Sequence, residues 1–134
     1  MLSSHRVDYL LIGGYAVAYH GYPRPTGNMD IWVAPNPENA ARVSEALVEF
    51  GFGAQDVPPR LFEQPGRIAR MGVPPLRIEV LTGVSGVEFE ACHSRRVCGS
   101  LDGVPVSVIA LADLRANKKA AGRHKDLDDL EHLG

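Results

Sequence analysis

The sequence predicts an α/β (α+β) fold in which helices flank a mixed β-sheet. Three observations carry this. Apolar runs of strand length recur along the chain, at 7–12, 29–33 and 76–81. Helix start and stop signals lie outside those runs, in Asn36-Pro37-Glu38, Gly51 and Gly122. Asp102-Gly103 separates two further apolar stretches and is the strongest short hairpin signal in the chain.

The elements follow in order. Val7 to Ile12 reads as a first strand, broken at Gly13-Gly14, with a short helix over 16–22. Residues 21–27 carry Pro23 and Pro25 and form a fixed connection, because proline cannot continue a helix and biases its predecessor toward extended backbone. Met29 to Val33 is the second strand. Asn36 then caps a helix with Pro37 in its first turn and Glu38 near the positive dipole end. Val43, Leu47 and Phe50 recur at i, i+4 and i+7, so that helix lays one face on the sheet until Gly51 stops it.

Residues 51–66, with Pro58, Pro59 and Pro65, read as an irregular surface loop. Strands are expected at 67–71 and 76–81, and a turn with one helical turn at 83–92. The hairpin around Asp102-Gly103 joins 97–101 to 104–109, and Pro105 puts it toward a sheet edge. A helix from Leu111 ends at Gly122. Asp126 caps a last helix whose Leu127, Leu130 and Leu133 have near-helical spacing.

Composition bounds the function. A chain of 134 residues with 45% apolar and 22% charged content suits one domain with a real core. A net charge of -2 argues against holding nucleic acid by a broad basic surface, so any such contact would be local. Two cysteines make no disulfide framework, and the expected setting is the reduced cytoplasm. No segment approaches the roughly 18 apolar residues of a membrane span, and no signal-peptide pattern opens the chain.

The chemistry-bearing residues gather in LLIGGYAVAYHGYPRPTGNMDIWV. Two glycines between a strand and a helix bring backbone N–H groups close to an anion, since no Cβ blocks the approach. In Asn28-Met29-Asp30, strand alternation sends the side chains of 28 and 30 to one face. An acid in the middle of an apolar strand is costly unless it is paired or binds a cation. For Asp30 the choices are a metal or an ion pair such as one with Arg24. A phosphate cradle beside metal-type oxygen ligands is the layout that phosphoryl chemistry on a nucleotide needs.

Glu79 shares a strand face with Arg77, opposite Ile78 and Val80, and a solvated polar face is its plain alternative. The basic stretch at 117–125 reads by itself as a solvated face, and for Lys119 and Lys125 that reading suffices. Cys92, His93, Cys98 and the remaining histidines lack zinc-ligand spacing. No G-x-S-x-G elbow and no complete P-loop is present.

Gly13-Gly14, thirteen residues, then Asn28-x-Asp30 in an apolar strand resembles the signature of the DNA polymerase β-like nucleotidyltransferase superfamily. The wider wording, with KKAAGRHKDLDDL near the end, is similar to small bacterial nucleotidyltransferases of the abortive-infection and toxin–antitoxin type. The resemblance implies a nucleotidyltransferase fold over 1–134. It also implies a helix ahead of the first strand; here the start is either truncated or that helix is nearly absent, and apolar surface the helix would cover is then expected to face a partner or a second copy.

As function, the resemblance implies transfer of NMP from an NTP to a hydroxyl of an RNA or protein acceptor, with an antitoxin as partner. Three acids hold two Mg²⁺ (or Mn²⁺) ions in such enzymes. Asp30 and Glu79 match two of the positions, and Asn28 stands where the family has Asp. An amide oxygen is a neutral ligand that bridges two cations poorly, so Asn28 weakens the expected activity. A non-catalytic nucleotide-binding or protein-interaction module is the alternative. Gly13, Gly14, Arg24, Thr26 and Lys118 match nucleotide-binding positions, Lys118 being the lysine that reaches the triphosphate. Asp126 matches a family acid as well, but its cap role explains it.

Overall fold

Six strands make one mixed sheet in the order β3-β4-β2-β1-β6-β5. They are β1 (Tyr9–Ile12), β2 (Asn28–Val33), β3 (Ile68–Val73), β4 (Leu76–Leu81), β5 (Val97–Leu101) and β6 (Val104–Val108). Among the described residues, five α-helices accompany them: α1 (Gly13–Tyr19), α2 (Pro37–Phe50), α3 (Phe89–Ser94), α4 (Leu111–Ala121) and α5 (His124–Leu133). This computed structural model describes residues 2, 5–22, 28–73, 76–101 and 103–133. Arg24 and Thr26 lie outside the described residues. Among those described, no helix is long and apolar enough to cross a membrane.

Strand β2 sits near the middle of the sheet and organises it. It runs antiparallel to β1 and parallel to β4, while β3 returns antiparallel on β4 to form one edge. Its second half, Ile31, Trp32 and Val33, is fully buried, as expected for a strand covered on both faces. Its first half emerges from the core at Asn28 and Asp30. The strand therefore delivers polar side chains to the surface from a rigid base.

The helix signals of α2 hold. The Asn36 side chain accepts from the Asn39 N–H at 2.9 Å, Pro37 is the first helical residue, and Gly51 ends the helix at φ 131°. Phe50 corrects the expected stripe. It is 50% exposed, because the buried face runs through Ala40, Val43, Ala46 and Leu47, and the last turn projects past it.

The stretch 51–66 is also more than an irregular loop. Residues Pro59–Phe62 form a 3₁₀ turn, and Val57 and Phe62 are fully buried. The Ser44 hydroxyl donates to the Val57 carbonyl at 2.6 Å, and the Thr82 hydroxyl donates to the Gln64 carbonyl at 2.6 Å. The stretch is thus a pinned flap along the β3 edge.

The hairpin forms as the Asp-Gly signal implies, with Leu101 opposite Val104 and Gly103 at φ 81°. Pro105 lies opposite Ser100 of the edge strand β5, and the β6 ladder with β1 is registered at Leu11 and Val108. The missing N–H therefore faces no third strand.

Several boundaries shift. Strand β1 starts at Tyr9 rather than Val7. Helix α1 begins at the glycines rather than at Ala16, with Gly13 at φ 62°. Helix α5 begins at His124, and Leu127 is 48% exposed while Asp126, Asp129 and Leu133 are buried. The inward face of α5 is acidic because a buried lysine waits for it.

Candidate active site

One row of cross-strand partners builds the site. Ile12 of β1 lies opposite Asp30 of β2, Asp30 beside Glu79 of β4, and Glu79 opposite Arg70 of β3. Neighbouring strands lie about 4.8 Å apart and partners share a face, so the two carboxyls stand side by side. They are close enough to share a hydrogen bond. The row opens into a cleft of about 720 Å³ whose lining includes Gly13, Gly14, Asn28, Lys118 and Lys125.

Gly13 belongs to this site for a reason the sequence hid. A Cβ at position 13 would lie 2.2 Å from Asp30 Oδ2, and the residue's φ of 62° is left-handed. The glycine makes room for the Asp30 carboxylate and starts α1 at the same point. An anion on these backbone N–H groups would face Asp30 directly and would need a cation between.

Asp30 carries the electrostatic load. Its pKa is raised from 3.8 to about 6, first by burial and then by the Glu79 charge and a hydrogen bond shared with Glu79. The charges of Lys125 and Lys118 pull the other way. Its Oδ1 is buried without a hydrogen-bond partner. Among the described residues Asp30 has no ion pair, so a structural pair has no support there.

Glu79 is better supplied. Its Oε1 accepts from Asn28 Nδ2 at 3.4 Å and from Arg70 Nε at 3.1 Å. Arg70 is 68% exposed and was invisible in the sequence as a site residue, since only the β3–β4 register brings it here.

Lys118, the lysine expected at the triphosphate, is buried in an ion cluster. It lines the cleft, yet its side chain is 3% exposed, and its Nζ is bound to Asp126 Oδ1 at 3.1 Å and Asp129 Oδ2 at 2.9 Å. Arg123 adds Nε to Asp126 Oδ2 at 2.7 Å. Among the described residues, Lys118 and Arg123 thus face the two carboxylates of Asp126 and Asp129. Burial works against the charged form of Asp126, but the hydrogen bonds from Arg123 and Lys118 prevail and hold its pKa below the usual carboxylate value. Asp126 also accepts from the Arg123 N–H at 3.2 Å, so it caps α5 from its third residue. The exposed cation that remains is Lys125, which lines the cleft and pairs with no acid among the described residues.

A divalent ion fits this geometry in part. The orphaned Asp30 oxygen, the adjacent Glu79 and the Asn28 amide are hard oxygen donors on one face. The third acid is missing. Among the described residues no group of three His, Cys, Asp or Glu side chains could hold a metal ion.

Two crystal structures share the architecture. One is a candidate nucleotidyltransferase from Thermotoga maritima, 13% identical with a TM-score of 0.60, aligned over 98% of this chain and 86% of the other. The second is an antigenic nucleotidyltransferase-like protein from Paracoccidioides brasiliensis, 18% identical with a TM-score of 0.56, over 98% and 69%. The chain has a nucleotidyltransferase fold. No family model and no curated protein sequence matches it.

Two predictions follow from these charges. Lys118→Met takes the buried ammonium away from Asp126 and Asp129 and should cost about 3–5 kcal/mol in urea unfolding. A loss under about 1 kcal/mol would show that the cluster does not anchor α5. Asp30 binds its proton more tightly folded than unfolded, so its contribution is most favourable below pH 3.8 and declines as pH rises toward 6. In metal-free buffer Asp30→Asn should flatten the stability profile over that window. Parallel profiles would contradict the raised pKa.

Proposed function

We propose that this chain is a metal-dependent nucleotidyltransferase that moves NMP from an NTP to a hydroxyl of an acceptor. The observation that carries the reading is the buried, unpartnered Oδ1 of Asp30 beside Glu79 in a cleft large enough for a nucleotide. Asp30 and Glu79, with Asn28 as a neutral third ligand, would hold Mg²⁺ or Mn²⁺. Such an ion, when bound, neutralises phosphate charge and lowers the pKa of a bound hydroxyl. In the reaction, the acceptor hydroxyl gives up its proton and its oxygen bonds to the α-phosphorus. The bond to the β-phosphate bridge breaks, and pyrophosphate leaves.

The chain's own residues have distinct parts in this reading. Gly13 and Gly14 offer backbone without a Cβ at the start of α1. Lys125 takes a phosphate oxygen as a point charge on a flexible stem. Lys118 acts one step back, holding α5 and so the stem of Lys125 in place. The toxin-type setting, with an antitoxin partner in the cytoplasm and an RNA or protein acceptor, rests on the sequence resemblance.

A second reading has an observation of its own. Glu79 is already engaged by Asn28 and Arg70, which satisfies a carboxylate that a catalytic metal would otherwise claim. That arrangement suits a module that binds nucleotide without turning it over. Asn28→Asp separates the two, because it removes an amide donor and adds the third acid. Calorimetric titration with NTP should show binding that strengthens at least tenfold with Mg²⁺ in Asn28→Asp, and radiolabelled NTP should then yield pyrophosphate. Binding indifferent to the metal, with no turnover in either form, would favour the non-catalytic module.

A further inference from the structure

A second hollow runs along the outer edge of the sheet. It has a volume of about 560 Å³ and lies between the flap and β3, lined by Asp56, Arg60 and Leu61 on one side and by Arg67 to Met71 on the other. Ile68 and Arg70 line both this hollow and the main cleft, so the two join at the Arg70–Glu79 pair. Arg60 and Arg67 line it with one acid, Asp56, and Arg70 is already paired with Glu79, in a protein whose net charge is -2. Arg60 has no ion pair among the described residues. Arg67 donates to the neutral Gln64 side chain at 3.1 Å, which leaves its charge uncompensated.

The walls of this groove are built to stay. Val57 and Phe62 anchor the flap in the core. Arg67 and Thr82 exchange backbone and hydroxyl bonds at 2.8–2.9 Å where the flap meets β3. Between the arginines, Leu61 and Ile68 present apolar surface at 37% and 49% exposure. Alternating guanidinium and apolar contacts match a chain of phosphates carrying flat, weakly polar bases.

We propose that the groove is the acceptor site, and that the acceptor is a single-stranded polynucleotide. Its backbone phosphates lie on Arg60 and Arg67, and its terminal hydroxyl enters the cleft past Arg70. Guanidinium groups hold phosphate oxygens in bidentate fashion and stack on bases, which suits arginine over lysine here. The assignment of the strand as acceptor rests on the nucleotidyl-transfer reading above; the binding of the strand does not.

The test uses the full chain and a fluorescently labelled single-stranded RNA of mixed sequence, read by anisotropy without NTP. The double variant Arg60→Ala with Arg67→Ala should weaken binding at least tenfold. It should also make the dependence of log affinity on log salt shallower by about 1.4, since each single-strand phosphate contact adds about 0.7. Arg60→Lys with Arg67→Lys should recover most of the salt dependence, which a folding defect would not. Calorimetric affinity for Mg²⁺–ATP should be the same in all three proteins. Equal RNA affinity in native and alanine forms, or displacement of RNA by duplex or acidic peptide at lower concentration than by unlabelled strand, overturns the proposal. Failure of the native chain and Asn28→Asp to bind Mg²⁺–ATP, with RNA still lost in the alanine variant, sinks the transfer reading and leaves the groove standing.

Discussion

Two carboxyls held next to each other on a half-buried sheet face are the constraint from which the rest of this structure follows. Parallel pairing of β2 with β4 places Asp30 beside Glu79, and nothing in the backbone can relax their separation. The sheet must therefore neutralise one charge by a proton or supply cations around both. It does some of each. Asp30 is pushed toward the protonated form, Glu79 is met by Arg70, and the positive potential of Lys125 and Lys118 reaches Asp30 from the opposite wall. A site that holds like charges together at the expense of stability is where a cation or a phosphoryl group can be bound in exchange.

The same accounting explains the C-terminal helices. Lys118 would be a liability if it were buried alone on α4, since a lone ammonium away from water is far more costly than an unpaired amide. Asp126 and Asp129 on α5 neutralise it, and Arg123 restores the balance. The cluster docks α5 against α4, and docking α5 sets Lys125 over the cleft. A buried ion network here gives one fixed orientation of a helix, and through it the placement of an exposed charge.

Local signals made much of the fold legible. Asn36-Pro37, Gly51, Asp102-Gly103 and Gly122 each act through backbone geometry that neighbours cannot easily override, and each marks its boundary. The alternation that put Asn28 and Asp30 on one face is equally local. Missing from the sequence was anything set by register or by burial. Arg70 enters the site only because β3 pairs with β4 so that 70 meets 79. Lys118 looks like an exposed helix lysine until α5 closes on it, and Lys125 like a solvated one until the cleft forms beneath it. Phe50 and Leu127 matched a helical stripe yet face solvent, because periodicity gives a face without saying where the neighbouring element ends. The flap read as a loop because prolines dominated it, while Val57 and Phe62 anchor it.

Whether a divalent ion settles between the two acids decides what this site can do. Crystals of the native chain soaked in Mn²⁺ and measured near the manganese absorption edge would answer this directly. An anomalous peak within coordination distance of Asp30 Oδ1 and a Glu79 oxygen is the predicted result, lost in Asp30→Asn. Saturating Mn²⁺ that leaves that position empty, with Glu79 still bound to Arg70 and Asn28, would contradict it.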